Sequence, residues 1–354
     1  MNSGISNEEP DYPGSRSKPN PAAAPFFSIV VPTRNRPGML RRALQSIAAQ
    51  SFTDYEAIVV DDGSGSENVA ALRELGKELG ARFVLLERDA AEPRHGPNVA
   101  RNAGIARARG EWVAFLDDDD YWCDPAHLEQ ANRCLSQRPG IDLYLANQVA
   151  MRGDDTVVAQ WLPYVARVAG RRRALGTPDC RELQRADLLQ PEGIGFAHVN
   201  MCIIRREIVQ RTGGFWEVAP YEGDLDFFLR LMDHTQTIVY RQSTVSVNTV
   251  REQDAAAGVS TLDDEPKLLL RALAMQHAEL HCAQADVLRY IRLLHGGVLK
   301  TLAKRHYHER RFALAGAFAV RAAAVDPSPR WIAIALAVKL RASLDFLPCR
   351  RSPQ

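Results

Sequence analysis

Four short apolar runs, each closed by acidic or turn residues and separated by helical patterns, leave this chain few folds to choose from. The runs are Phe26–Val31, Tyr55–Val60, Arg82–Glu87 and Glu111–Leu116. Their lengths suit strands buried on both faces, as in parallel sheets. Between the first two, Pro37 fits a first-turn position, and Leu40, Ala43, Leu44, Ile47 and Ala48 fall on one helical face. Val69–Leu79 and Val99–Ala108 repeat that behaviour. Strands alternating with helices predict βαβ units and an open, mostly parallel α/β sheet. Ligands of such sheets bind beyond the carboxyl ends of the strands, where Asp61-Asp62 and Asp117–Asp120 fall.

The rest of the chain is read around that core. Residues 1–25, rich in Pro, Ser, Asn and Gly, are expected to form a disordered leader, with order beginning at Phe26. Residues 151–195 have weak periodicity and carry Arg171-Arg172-Arg173, which predicts a loop-rich insertion. Cys202–Ile204 and Thr237–Tyr240 read as later strands. Beyond about 255 strand signals vanish and an Ala-, Leu-, Arg- and His-rich composition takes over, so a helical C-terminal region, 255–354, is expected. A net charge of +1 offers no global polybasic field, so nucleic acid is not an expected partner. Six scattered cysteines without a CxxC pair fit reduced thiols better than a disulfide framework or a zinc site. With no secretory h-region and no apolar stretch of spanning length, a cytoplasmic location is expected.

Four consecutive aspartates, Asp117–Asp120, end a buried strand, Trp112-Val113-Ala114-Phe115-Leu116. Crowded carboxylates repel one another and resist desolvation. A divalent cation among them relieves that cost, and hard oxygen ligands select Mg²⁺ or Mn²⁺. A solvated acidic turn, a helix cap near Pro125, or calcium binding without catalysis would also account for the tetrad alone.

Further runs narrow these choices. Ser28-Ile-Val-Val-Pro-Thr-Arg-Asn35, Ile58-Val-Val-Asp-Asp-Gly-Ser64, Ala100-Arg-Asn-Ala-Gly104 and Phe115-Leu-Asp-Asp-Asp-Asp120 occur in that order. Together they closely resemble the family 2 glycosyltransferases of the GT-A fold, over about residues 26–250. The resemblance implies a nucleotide-sugar donor, with a UDP-sugar the default. It implies a GT-A domain over 26–254, with a nucleotide half (26–120) and an acceptor half (121–254). By the same resemblance Pro32, Thr33 and Arg36 line the base pocket, Asp62 accepts from base or ribose, and Asp61 supports it. Arg101 and Asn102 face the nucleotide. Asp117 and Asp119 form the DxD pattern with Asp119 the direct metal ligand, although the spacing to Pro125 lets the register slide to Asp118 and Asp120. In Tyr221-Glu-Gly-Asp-Leu-Asp-Phe-Phe-Leu-Arg230, Asp224 takes the general-base role of the family's "ED" pair, and Glu222 is displaced by one position. An acidic helix start is the plainer account of Asp226.

His198 and Asn200 could contact sugar or metal, and Phe215 and Trp216 could stack on an acceptor, though packing roles serve equally well. The acceptor could be a glycan, a lipid-linked sugar or a small molecule. The basic and apolar tail could lie peripherally on a membrane face, or serve as a packing appendage. Two rivals stand beside transfer. A nucleotidyltransferase is disfavoured because the loop Pro-Thr-Arg-Asn-Arg-Pro-Gly holds one glycine. A non-catalytic nucleotide-binding module is the other.

Overall fold

The computed structural model describes residues 24–88, 95–191, 196–219, 222–250 and 264–344. Nearly all of the expected leader, and the expected boundary near 255, lie outside these residues. The first four strands fall where the apolar runs put them: β1 (Phe27–Thr33), β2 (Tyr55–Asp61), β3 (Phe83–Glu87) and β4 (Trp112–Phe115). Helices α1 (Pro37–Ala48), α2 (Ser66–Leu79) and α3 (Pro97–Arg107) connect them. β1 pairs in parallel with β2 and β4, and β2 with β3, so these strands all end on one edge.

After β4 come β5 (Tyr121–Trp122), α4 (His127–Gln137), β6 (Leu143–Arg152), β7 (Asp155–Val158), α5 (Pro163–Ala169), β8 (Ala174–Leu175), β9 (Thr177–Gln184) and α6 (Arg185–Leu188). Then follow β10 (Cys202–Arg205), α7 (Arg206–Thr212), α8 (Gly223–His234) and β11 (Thr237–Thr249). The sheet runs β3-β2-β1-β4-β10-β6-β11-β9-β8, with β5 on β11 and β7 on β6. β10 is antiparallel to both β4 and β6, and marks where the sheet changes character.

One expectation is corrected here. The described residues of 151–195 are not a loop-rich insertion, because β9 pairs along β11 from Thr237↔Gln184 to Arg241↔Cys180. β6, the strand between β10 and β11, was not among the expected strands. Its interior holds buried Asn147 and Gln148, which break the pattern yet are hydrogen-bonded to Thr244 and Ser246 across the sheet.

Alternation along β1 divides the core. Phe27, Ile29 and Val31 pack with α1, α2 and α4, while Val30 points the other way. On that second face Gly104 of α3 lies so close to β1 that an added Cβ would meet Val30 Cγ1 at 2.4 Å. The glycine lets α3 approach the strand and so fixes where its N-terminal residues sit.

Among the described residues of the C-terminal region, four helices follow one another: α9 (Asp264–His281), α10 (Ala285–His308), α11 (Phe312–Val325) and α12 (Pro329–Leu344). The first two helices share the main core, through residues such as Met275, Ala278, Tyr290 and Ile291. Polar links add to this: Asp233 accepts from the backbone N–H groups of Ala283 and Gln284, and Arg185 pairs with Asp286. α11 and α12 close a small separate cluster with α10, around Trp331 and Ala319. Among the described residues no helix is long and apolar enough to cross a membrane.

Candidate active site

The acidic residues gather beyond the carboxyl ends of β1, β2 and β4. The β1 and β2 ends clamp each other: Asn35, in a left-handed conformation at φ 52°, accepts from Gly65 N–H, while its own N–H donates to Ser64 Oγ. Asp61 is fully buried and accepts from the Ser64 amide at 3.0 Å and from its hydroxyl, so it shapes the turn and does not face a ligand. Asp62 accepts from Gly96 N–H at 2.9 Å, tying the β2 end to the start of α3.

The four aspartates have distinct surroundings. Asp117 accepts from the buried Arg101 guanidinium at 2.5 Å. Burial alone would raise its pKa, but the charges of Arg101 and His198 and the hydrogen bonds of Arg101 and Asn200 outweigh it and hold the carboxyl below its ordinary value. Asp118 accepts from Thr33 Oγ1 at 2.8 Å and from Arg36 Nη1 at 3.2 Å. Burial, reinforced by Asp119, pushes it up to about 6. Asp120 is 1 % exposed and accepts from Asn200 Nδ2, Asn248 Nδ2 and Thr249 N–H. Burial and the charges of Asp117 and Asp119 push it to about 7. Asp119 has the most exposed side chain of the four, at 27 %, with Arg36 Nη1 at 3.5 Å.

His198 stands across from the tetrad, at the start of a short 3₁₀ turn (Val199–Met201) that leads into β10. Its Nε2 lies 3.8 Å from Asp117 Oδ2 and 3.9 Å from Asp224 Oδ2. Asp224 sits in the first turn of α8. The histidine therefore links the acidic cluster to the expected base, which its spacing in sequence did not reveal. Ligand atoms of Asp117, Asp120 and His198 all lie within 4.8 Å of one another. Asp120 already accepts three protein hydrogen bonds and turns inward, whereas Asp119 faces outward.

Other expected residues serve as supports. Pro32 is buried at the end of β1, and Thr33 and Arg36 engage Asp118. Asn102 spends its amide on the loop after α7. Its amide donates to Phe215 O and Glu217 Oε1 and accepts from Phe215 N–H, pinning the loop after α7. The reason is tertiary: this loop packs on α3, and the amide satisfies its backbone groups. Phe215 stacks on Phe227 at 4.1 Å and lies under Arg101, so it packs. Asp226 is fully buried, ion-paired with Arg230 and hydrogen-bonded to His277 of α9, a structural role. Arg230 donates onward to Thr212 O and Gly214 O. Trp216 stacks flat on His277 at 4.0 Å. Glu222 receives Arg271 of α9, so it turns toward the C-terminal helices.

The sequence profile of Glycosyl transferase family 2 matches residues 28–213, more than half of the chain. The chain belongs to glycosyl transferase family 2. Family members similar to it include a GalNAc(5)-diNAcBac-PP-undecaprenol beta-1,3-glucosyltransferase of Campylobacter jejuni, 40% identical over 96 residues, 27% of this chain and 30% of that one. The succinoglycan biosynthesis protein ExoW of Rhizobium meliloti is 29% identical over 189 residues, 52% of this chain and 57% of that protein. The chain thus spans between about a third and somewhat over half of these two relatives. Among solved structures, TarS of S. aureus, residues 1–349, superposes with a TM-score of 0.59 at 17% identity, covering 84% of this chain and 82% of that one. At that identity the likeness speaks for the fold, a GT-A-type α/β sheet with C-terminal helices. The family 2 profile ends at residue 213, just before the segment that carries Asp224.

Proposed function

We propose that this chain transfers a sugar from a nucleotide-sugar donor to an acceptor hydroxyl, with divalent metal and with inversion at the anomeric carbon. The observation that carries this reading is His198 Nε2 between Asp117 and Asp224, at 3.8 and 3.9 Å, which brings the acidic cluster and a carboxylate base into one site. The donor set fits a hard cation: crowded carboxylates, two of them pushed up to about 6 and 7, gain by neutralisation. Asp119 and Asp117 would hold Mn²⁺ or Mg²⁺, with His198 as a third contact and Asp120 orienting the loop through its own hydrogen bonds. When bound, the ion supplies Lewis-acid neutralisation of the departing diphosphate.

The protein's residues do the rest. Asp62 and the β1 end frame the base and ribose side of the site, and Arg36 offers a cation at its open edge. Arg101 keeps Asp117 ionised. Asp224 accepts the proton of the attacking acceptor hydroxyl, a general-base role that needs no covalent intermediate. His198 Nε2 lies 3.9 Å from that carboxylate, between it and Asp117. TarS has been crystallised with UDP-GlcNAc, which makes a UDP-sugar the first donor to try. The undecaprenol-linked saccharide in the name of the Campylobacter relative and the succinoglycan in that of the Rhizobium relative make lipid-linked saccharides and polysaccharides the first acceptors to try.

Calorimetric titration of the full chain with UDP, GDP, dTDP and CMP, each with Mn²⁺ and then with chelator, tests this reading. One nucleotide should bind, and its binding should collapse on chelation. A folded sample that binds none of the four would return Asp62 and Asp119 to turn and cap roles.

A further inference from the structure

Among the described residues, the last two helices leave an apolar face uncovered. On α12, Ile332, Leu336 and Leu340 recur every four residues, so they share one side of the helix, and they are 43 %, 66 % and 65 % exposed. α11 adds exposed Leu314 and Val320.

Charge says what covers this face. Residues 300–344 hold nine lysines and arginines against two acidic residues, Glu309 and Asp326, a net of +7. The whole chain carries +1, so everything outside this segment sums to −6. A same-face pairing of two copies would set +7 against +7. An anionic surface with an apolar interior suits both features at once. No described helix could cross a bilayer, so the contact lies along the surface.

We propose that the α11–α12 hairpin docks the protein on an anionic phospholipid bilayer. The Ile332–Leu336–Leu340 stripe enters the acyl boundary. The proposal goes beyond the assigned chemistry, because vesicle binding is read without donor, metal or transfer.

Co-sedimentation of the full chain with vesicles of phosphatidylcholine alone, and with phosphatidylglycerol added, tests it. We expect binding to the anionic vesicles that is at least about tenfold tighter than to neutral ones and is weakened by salt. Leu336→Glu with Leu340→Glu should weaken it by about tenfold or more, since each removes a buried apolar side chain. Leu336→Ser with Leu340→Ser, the gentler pair, should act in the same direction and serves if the first pair melts early. Equal binding to both vesicles, no binding to either, or folded variants that bind like the parent would overturn the proposal. So would a wild-type dimer in size-exclusion chromatography that the variants dissociate while vesicles remain unbound, because the face would then be an interface between copies.

Discussion

Proton competition at the aspartate tetrad can be measured directly. Asp118 and Asp120 are pushed up to about 6 and about 7, so both hold protons below neutrality. A divalent ion held beside them by Asp117 and Asp119 favours the ionised carboxylates, so its binding is coupled to release of these protons. If both protons leave, the apparent dissociation constant at about pH 5.5 exceeds its limiting value by roughly 4-fold through Asp118 and roughly 30-fold through Asp120, about 100-fold together, or nearly 3 kcal/mol. Above about pH 8 almost no penalty remains. The sign is fixed by the direction of the shifts. Folding raises these pKa values, so their contribution to the metal-free fold is present on the acid side and is lost as pH rises through about 6 to 7. Metal binding runs the opposite way and strengthens over the same window. Titrating Mn²⁺ into the protein and following free Mn²⁺ by electron paramagnetic resonance at several pH values measures the effect. A change near 4-fold would mean that Asp118 alone releases its proton. An affinity flat within about threefold, or one that falls as pH rises, would refute the argument that crowding of these carboxylates is relieved by the cation.

Three further outcomes follow from the contacts. Asp224→Asn should cut transfer by about 10²–10⁴-fold while leaving nucleotide affinity within about threefold, read by steady-state kinetics beside calorimetry. Arg101→Met leaves Asp117 in its cleft without its 2.5 Å partner and should lower stability by about 3–5 kcal/mol, measured by urea unfolding. Gly214→Ala combines a φ of +72° with a Cβ placed 2.5 Å from Asn102 Oδ1, and should cost about 1–3 kcal/mol. Restoring room with Asn102→Ala should recover only the steric part, which a double-mutant cycle of melting curves separates from the backbone strain.

Much of the nucleotide half was legible from local pattern. β1 to β4 are short apolar runs closed by polar turns, and α1 to α3 carry one-sided apolar faces, so sequence neighbours suffice to place them. Parallel pairing then puts Asp61, Asp62 and the tetrad on one edge, because consecutive βαβ units all run the same way. The sheet beyond β4 was harder. β6 holds polar residues whose partners come from β11, about 97 positions away for Asn147 and Thr244, and no window along the chain contains both.

The same division runs through the site. Sequence alone determined that acidic groups would crowd the end of a buried strand, since a hydrophobic run followed by four aspartates allows little else. Only the tertiary structure decided how those four differ: Asp120 is held inward by Asn200, Asn248 and Thr249, Asp117 is paired with Arg101, and Asp119 faces outward. It also turned Asn102 onto the 214–217 loop, set His198 between Asp117 and Asp224, and brought His277 of α9 onto Asp226. These contacts join groups 16 to 129 positions apart, and a carboxylate's surroundings, which set its charge and its role, exist only once distant strands and helices have closed around it.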